Sequence, residues 1–173
     1  MKRFLSLVLP FLILAVAAAA QPDTATLPYK RFPELPPLQL LLGDSSTMLT
    51  KDKLPRKKPT LIFFFSTGCG HCQHTTEELV QYCDSLPNMN LVMATFASVS
   101  EMNAFRQRYH TDSLPNAFVG KDVHFLLPPF YGIANLPFLA YYNKKGEFVD
   151  IIDGGLHVPQ IAARIRELEK RGR

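Results

Sequence analysis

Five consecutive large apolar residues, Leu61-Ile62-Phe63-Phe64-Phe65, lead through Ser66-Thr67-Gly68 into Cys69-Gly70-His71-Cys72. An apolar run without alternation is expected of a central strand covered on both faces. Two thiols at i and i+3, where such a strand gives way to a helix, suit reversible disulfide chemistry. A helix start exposes unpaired N–H groups and the positive end of the helix dipole, which stabilise a thiolate there. Cys69 is then the nucleophile, and Cys72 attacks the mixed disulfide to release the product.

The chain has 173 residues, which suits one domain once the N-terminus is set aside. Met1-Lys2-Arg3 is a short basic start, Phe4 to Val16 an apolar stretch, and Ala18-Ala19-Ala20 a small-residue cleavage site. That layout predicts a secretory signal peptide over residues 1–20, cut before Gln21. The alternative is an uncleaved inner-membrane anchor through residues 4–20. That stretch covers 17 residues, just below the usual spanning length, and Pro10 interrupts it.

The formal charge is +4, and losing Lys2 and Arg3 with no acid leaves +2. That is too weak to imply a nucleic-acid partner, and the one compact basic run, Arg56-Lys57-Lys58, sits between Pro55 and Pro59 as a solvated turn. Three cysteines do not make a structural disulfide framework. On a continuous helix Cys83 lies about 16 Å along the axis from Cys72, too far to resolve the pair. It shares a face with Leu79 and Val80, so a buried, inert cysteine is expected.

Residues 21–37 hold five prolines and are expected to run extended as a leader to the domain at 38–173. Leu38 to Leu42 and Thr47 to Leu49 flank Gly43-Asp44-Ser45-Ser46 as a small hairpin. The helix after Cys69 is expected to reach about Ser85. Asn90 to Phe96 is a second buried strand, and Ser98 or Ser100 caps a helix through Tyr109 with Met102, Phe105 and Tyr109 on one face. Ala117-Phe118-Val119 suggests a short strand, and Pro128-Pro129 breaks whatever precedes it. Pro137 to Tyr142 and Phe148 to Ile152 form an antiparallel hairpin across Asn143-Lys144-Lys145-Gly146. A last helix begins near Val158 and carries Ile161, Ala162, Ile165 and Leu168 at helical spacing. The order predicts an α/β fold with a mixed sheet, helices on both faces, and the redox turn at the C-terminal edge of a central strand.

At this point the chain resembles the thioredoxin superfamily, and within it the exported TlpA/ResA-like thiol–disulfide oxidoreductases of bacteria. The resemblance rests on Phe63 to Cys72, on Ile133-Ala134-Asn135-Leu136-Pro137-Phe138-Leu139, and on Asn143 to Val149 with Gly154-Gly155 beyond. It covers about Leu38 to the C-terminus. It implies a thioredoxin-like fold, with the stretch between Phe96 and Pro137 as an inserted strand–helix element. It also implies a cis-proline loop at Pro137 that, with Leu136 and Asn135, pairs with an incoming peptide. Family members exchange disulfides with protein substrates, often fed by a membrane electron donor. The implied location is the periplasm, the expected state a monomer, and no cofactor is expected beyond the redox-active pair Cys69–Cys72.

Departures from the family pattern carry information too. There is no tryptophan, and Thr67-Gly68 stands where one usually precedes the first cysteine. Phe63 occupies the position of the buried aspartate of thioredoxins, and Thr75 that of the TlpA/ResA glutamate, so the usual proton acceptor for Cys72 is missing from both places. Glu77 and Glu78 lie nearby, and a solvated helix face explains them equally well. Gly70 and His71 make the turn resemble that of protein disulfide isomerases. A partly positive imidazole beside the thiolate raises the potential above thioredoxin's, to about −180 to −230 mV.

Cys69, His71, Cys72 and His74 also invite a metal-carrier reading. Helical geometry argues against it, because His74 points roughly 200° away from Cys72. A third ligand would have to come from His110, His124 or His157, far along the chain. No metal site is expected. A binding module of the same fold that no longer turns over is the third class, and the intact CxxC counts against it.

Overall fold

The computed structural model describes residues 26–171. The expected signal segment, residues 1–20, lies outside the described residues. Among the described residues no helix is long and apolar enough to cross a membrane.

A short helix, α1 (Pro28–Arg31), precedes a two-stranded hairpin of β1 (Leu40–Leu42) and β2 (Met48–Leu49). Then come β3 (Thr60–Phe65), α2 (Gly70–Gln81), β4 (Asn90–Thr95), α3 (Val99–Arg108) and β5 (Ala117–Asp122). The chain closes with α4 (Leu127–Tyr131), β6 (Phe138–Tyr142), β7 (Phe148–Ile152) and α5 (Val158–Arg171). Seven strands form one sheet in the order β2-β1-β5-β4-β3-β6-β7. Strands β3, β4 and β5 are parallel, and the other pairings are antiparallel. Parallel neighbours need crossovers, and α2 and α3 supply them.

Alternation along β3 feeds two cores. Leu61, Phe63 and Phe65 pack with Leu79, Met102, Phe105, Ile161 and Ile165 from α2, α3 and α5 on one face. Ile62 and Phe64 turn to the other face, with Leu127 and Tyr131 of α4 and the half-buried Tyr29 of α1. Every residue of β3 is buried, which accounts for the unbroken apolar run from Leu61 to Phe65. Each such side chain stabilises the fold by roughly 1.5–3 kcal/mol relative to exposure. Ser98, of the two candidate serines, caps α3 in a capping box with Glu101.

Three expectations change. The leader contains α1, and Tyr29 packs edge-on against Phe148 with ring centroids 5.0 Å apart. Leader residue Leu35 donates its amide to Gly146 O, so tertiary contacts rather than local propensity shape this segment. Pro128 and Pro129 do not break an element but open α4, where the missing amide protons would have had no helical partner. Ala117 to Val119 extends to a six-residue strand that joins the parallel sheet to the hairpin.

Candidate redox site

Cys69 sits at the N-cap of α2, four residues past the end of β3. Its backbone is extended, and its sulfur accepts a hydrogen bond from the Cys72 amide at 3.2 Å. The thiol thereby does what a Ser or Asp cap does, and it occupies the place where the helix's unpaired N–H groups and dipole favour negative charge. The turn is held by the Cys69 amide on Ser66 O and by the Gln73 side-chain amide on Thr67 O at 2.8 Å.

The two thiols are unlike. Cys69 is half-buried, whereas Cys72 is fully buried beneath it. Burial pushes the Cys72 thiol up to about 12, and the neighbouring Cys69 adds to the rise. One sulfur is therefore accessible from solvent, and the other is buried and held protonated near neutral pH.

The Ile133 to Leu139 segment meets this turn. The Leu136–Pro137 peptide bond is cis, and Leu136 O lies 3.9 Å from Cys69 Sγ. Pro137 is buried, Leu136 half-buried and Asn135 exposed, so a rim of backbone faces outward beside the reactive sulfur. Gly154 makes the approach possible: a Cβ there would collide with the Pro137 carbonyl oxygen. Gly70, by contrast, has open space around the position of a Cβ and is not sterically required.

Other residues fall differently from expectation. The His71 imidazole is exposed, and among the described residues no hydrogen bond joins it to either sulfur. Helix α2 stops at Gln81, and Cys83 stands on a following 3-10 turn, half-buried instead of buried. Thr75 is buried and returns its hydroxyl to His71 O at 2.9 Å, and Phe63 is core. Neither position carries an acid or base.

Glu78 departs most from the sequence reading. Glu77 is exposed, but Glu78 is buried, with its side chain 11% accessible. It accepts from the Val158 amide at 2.9 Å through Oε2, and Oε1 lies 2.6 Å from His157 Nδ1 and 3.5 Å from His74 Nε2. Burial alone would raise its pKa. The His157 hydrogen bond, the Val158 amide and the two imidazoles outweigh burial and hold the carboxyl below its ordinary value. The i, i+4 spacing of His74 and Glu78 was the available signal. The third member, His157, is one of the three distant histidines named for a metal, but its pairing with Glu78, 79 residues away, has no local signal.

A cavity of about 640 Å³ between Pro59, Tyr141, Asn143 and Leu168 lies at the opposite end of β3. Neither thiol lines it.

No protein-family model matches the chain. Thioredoxin-2 of Pyricularia oryzae is 31% identical over 72 residues, 42% of this chain and 40% of that protein. The chain thus spans about two fifths of the length of the curated relative it matches. Among solved structures, a secreted Mycobacterium tuberculosis disulfide oxidoreductase homologous to E. coli DsbE superposes with a TM-score of 0.62 at 17% identity, over 76% of this chain and 96% of that one. A thioredoxin-like protein from Aeropyrum pernix gives a TM-score of 0.60 at 9% identity, over 82% and 91%. Arabidopsis thaliana ScoI, solved with copper bound, gives 0.61 at 12% identity, over 78% and 97%. With its mixed seven-stranded sheet and flanking helices, the chain has the thioredoxin-like fold.

Proposed function

We propose that the chain is an exported, single-domain thiol–disulfide oxidoreductase that exchanges disulfides with protein substrates through Cys69 and Cys72. The observation that carries this reading is the Cys69 sulfur capping α2, 3.2 Å from the Cys72 amide and 3.9 Å from Leu136 O. In the reducing direction, the Cys69 thiolate attacks one sulfur of a substrate disulfide. A Cys69–substrate bond forms, the substrate S–S bond breaks, and one substrate thiolate leaves. Cys72 then gives up its proton and attacks Cys69 Sγ, forming the Cys69–Cys72 disulfide and releasing the second substrate thiolate. Two electrons pass from the protein to the substrate, and the reverse sequence oxidises a dithiol.

Asn135, Leu136 and Pro137 seat the substrate by offering backbone to an extended peptide, as in strand addition. His71 and Gly70 tune the turn, and the Cys72 proton leaves through water. Residues 1–20 direct export and residues 21–37 lead into the domain, so the working compartment is the periplasm and a membrane protein restores the dithiol. A secreted disulfide oxidoreductase among the structural neighbours supports this setting.

The test is mechanism-based trapping. Cys72→Ser should accumulate mixed disulfides with client proteins in the native host, and Cys69→Ser should abolish both trapping and insulin reduction. Full activity of Cys69→Ser overturns the reading.

A further inference from the structure

The cluster of His74, Glu78 and His157 includes neither thiol and is given no part in the proposed exchange. One donor atom from each residue lies within 4.8 Å of the others. The two imidazole rings stand nearly perpendicular, with centroids 6.1 Å apart. We infer that these three side chains form a binding site for a divalent transition-metal ion of the Zn²⁺ class, joining α2 to the start of α5.

The sequence places two of the ligands. His74 and Glu78 are one helical turn apart on α2 and project on the same face. Tertiary structure brings the third, because His157 immediately precedes α5 and its ring stacks edge-on toward His74. The division of labour on Glu78 is what suits a metal. Oε2 is occupied by the Val158 amide and fixes the carboxylate, while Oε1 points between the two imidazole nitrogens. A carboxylate oriented by a backbone donor on one oxygen is a ligand held in place by an outer-shell bond.

Two imidazoles and one carboxylate are the donor set of open Zn²⁺ sites, in which water completes the coordination. Ligand bonds of about 2.1 Å set neighbouring donors about 3.4 Å apart in a tetrahedron. The His74–Glu78 separation of 3.5 Å already fits. His157 need only exchange its 2.6 Å hydrogen bond for the ion, and its side chain is 67% accessible. His74 is 62% accessible, so the ion reaches the site from solvent without opening the core. The absence of sulfur from the set means that the site is independent of the oxidation state of Cys69 and Cys72.

The experiment is calorimetric titration of ZnCl₂ into the full chain carrying Cys83→Ser, with Cys69 and Cys72 oxidised so that no thiol competes. One ion per chain is expected, with a rise in the thermal unfolding midpoint on saturation. His74→Ala and His157→Ala should each weaken binding at least about tenfold, the lower bound that loss of even an outer-shell partner sets, and should abolish the thermal rise. Glu78→Gln, if folded, should do the same. Absence of saturable binding overturns the proposal, as does binding untouched by either histidine variant. Retention of full affinity by Glu78→Gln also overturns it, since the ion would then rest on two histidines alone. Trapping by Cys72→Ser is indifferent to every one of these outcomes, so the redox reading and the metal site fail separately.

Discussion

Gly154 packs directly against Pro137: a methyl group on its Cα would overlap the proline carbonyl oxygen and stand 3.0 Å from both its carbonyl carbon and its Cγ. Gly154 follows β7, and Pro137 opens β6, so the contact ties the strand hairpin to the segment beside Cys69. The obstacle is backbone, which cannot rotate away as a side chain end does. Gly154→Ala must therefore displace the Leu136–Pro137 segment or its own loop. Overpacking of this kind costs about 1–3 kcal/mol, and the displaced rim no longer presents Leu136 O to Cys69. Urea unfolding should show the loss, and insulin reduction should fall at substrate concentrations below saturation. Gly70→Ala meets nothing within 4 Å and serves as the steric control, with stability little changed.

Cys72 gives a pH prediction. Its thiol is raised from 9.0 to about 12, by burial first and by Cys69 second. The neutral form is favoured in the fold. The contribution is therefore fully present below pH 9 and is lost as pH rises from 9 toward 12, where an unfolded chain would ionise and the folded one would not. A short pulse of iodoacetamide on the reduced Cys83→Ser chain at pH 8 should modify Cys69 alone, as read by peptide mass spectrometry. Comparable labelling of both sulfurs would mean that Cys72 is neither buried nor held protonated.

His71 is exposed at the first turn of α2, so its influence on the thiolate passes through solvent and is screened. Its direction remains defined: a positive charge near the sulfur favours the dithiol and makes the disulfide a better oxidant. The potential of the wild-type chain should lie at about −180 to −230 mV, and His71→Pro should move it down toward thioredoxin's value of about −270 mV. Equilibration against glutathione measures both. A wild-type potential below thioredoxin's removes the tuning role from His71.

What could be read from the sequence was set by how far apart the deciding residues lie. Leu61 to Phe65 declares a covered strand because all five side chains are apolar, and burial on two faces needs nothing else. Val158, Ile161, Ala162, Ile165 and Leu168 declare α5 by spacing, and all five are buried. Cys69 as a helix cap follows from its position between the two kinds of pattern. Helix α1 was illegible because four residues have no helical propensity to speak of, and Tyr29 is held by Phe148 and Tyr131. Pro128 and Pro129 misled because proline both ends helices and begins them, and only tertiary context selects between these. Glu78 reads as a surface acid in the sequence because its partners, His157 and Val158, lie 79 and 80 residues further on, at the start of α5.

The inserted element can be tested through one buried pair. Tyr131 of α4 and Tyr142 of β6 share a hydrogen bond of 2.6 Å between hydroxyls, and both side chains are almost wholly inaccessible. Burial is the main cause that raises both phenols, Tyr142 to about 12, so neither ionises near neutral pH and the bond is between neutral groups. Tyr142→Phe leaves the Tyr131 hydroxyl buried without its partner, which costs about 1–3 kcal/mol. Tyr131→Phe strands the Tyr142 hydroxyl in the same way. Removing both hydroxyls leaves two phenylalanines of nearly unchanged shape and nothing unsatisfied, so the double variant should lose much less than the sum of the two single losses. Urea unfolding of the four chains gives the coupling directly. Additive losses would mean that each hydroxyl finds another partner and that the pair does not fasten α4 to the sheet.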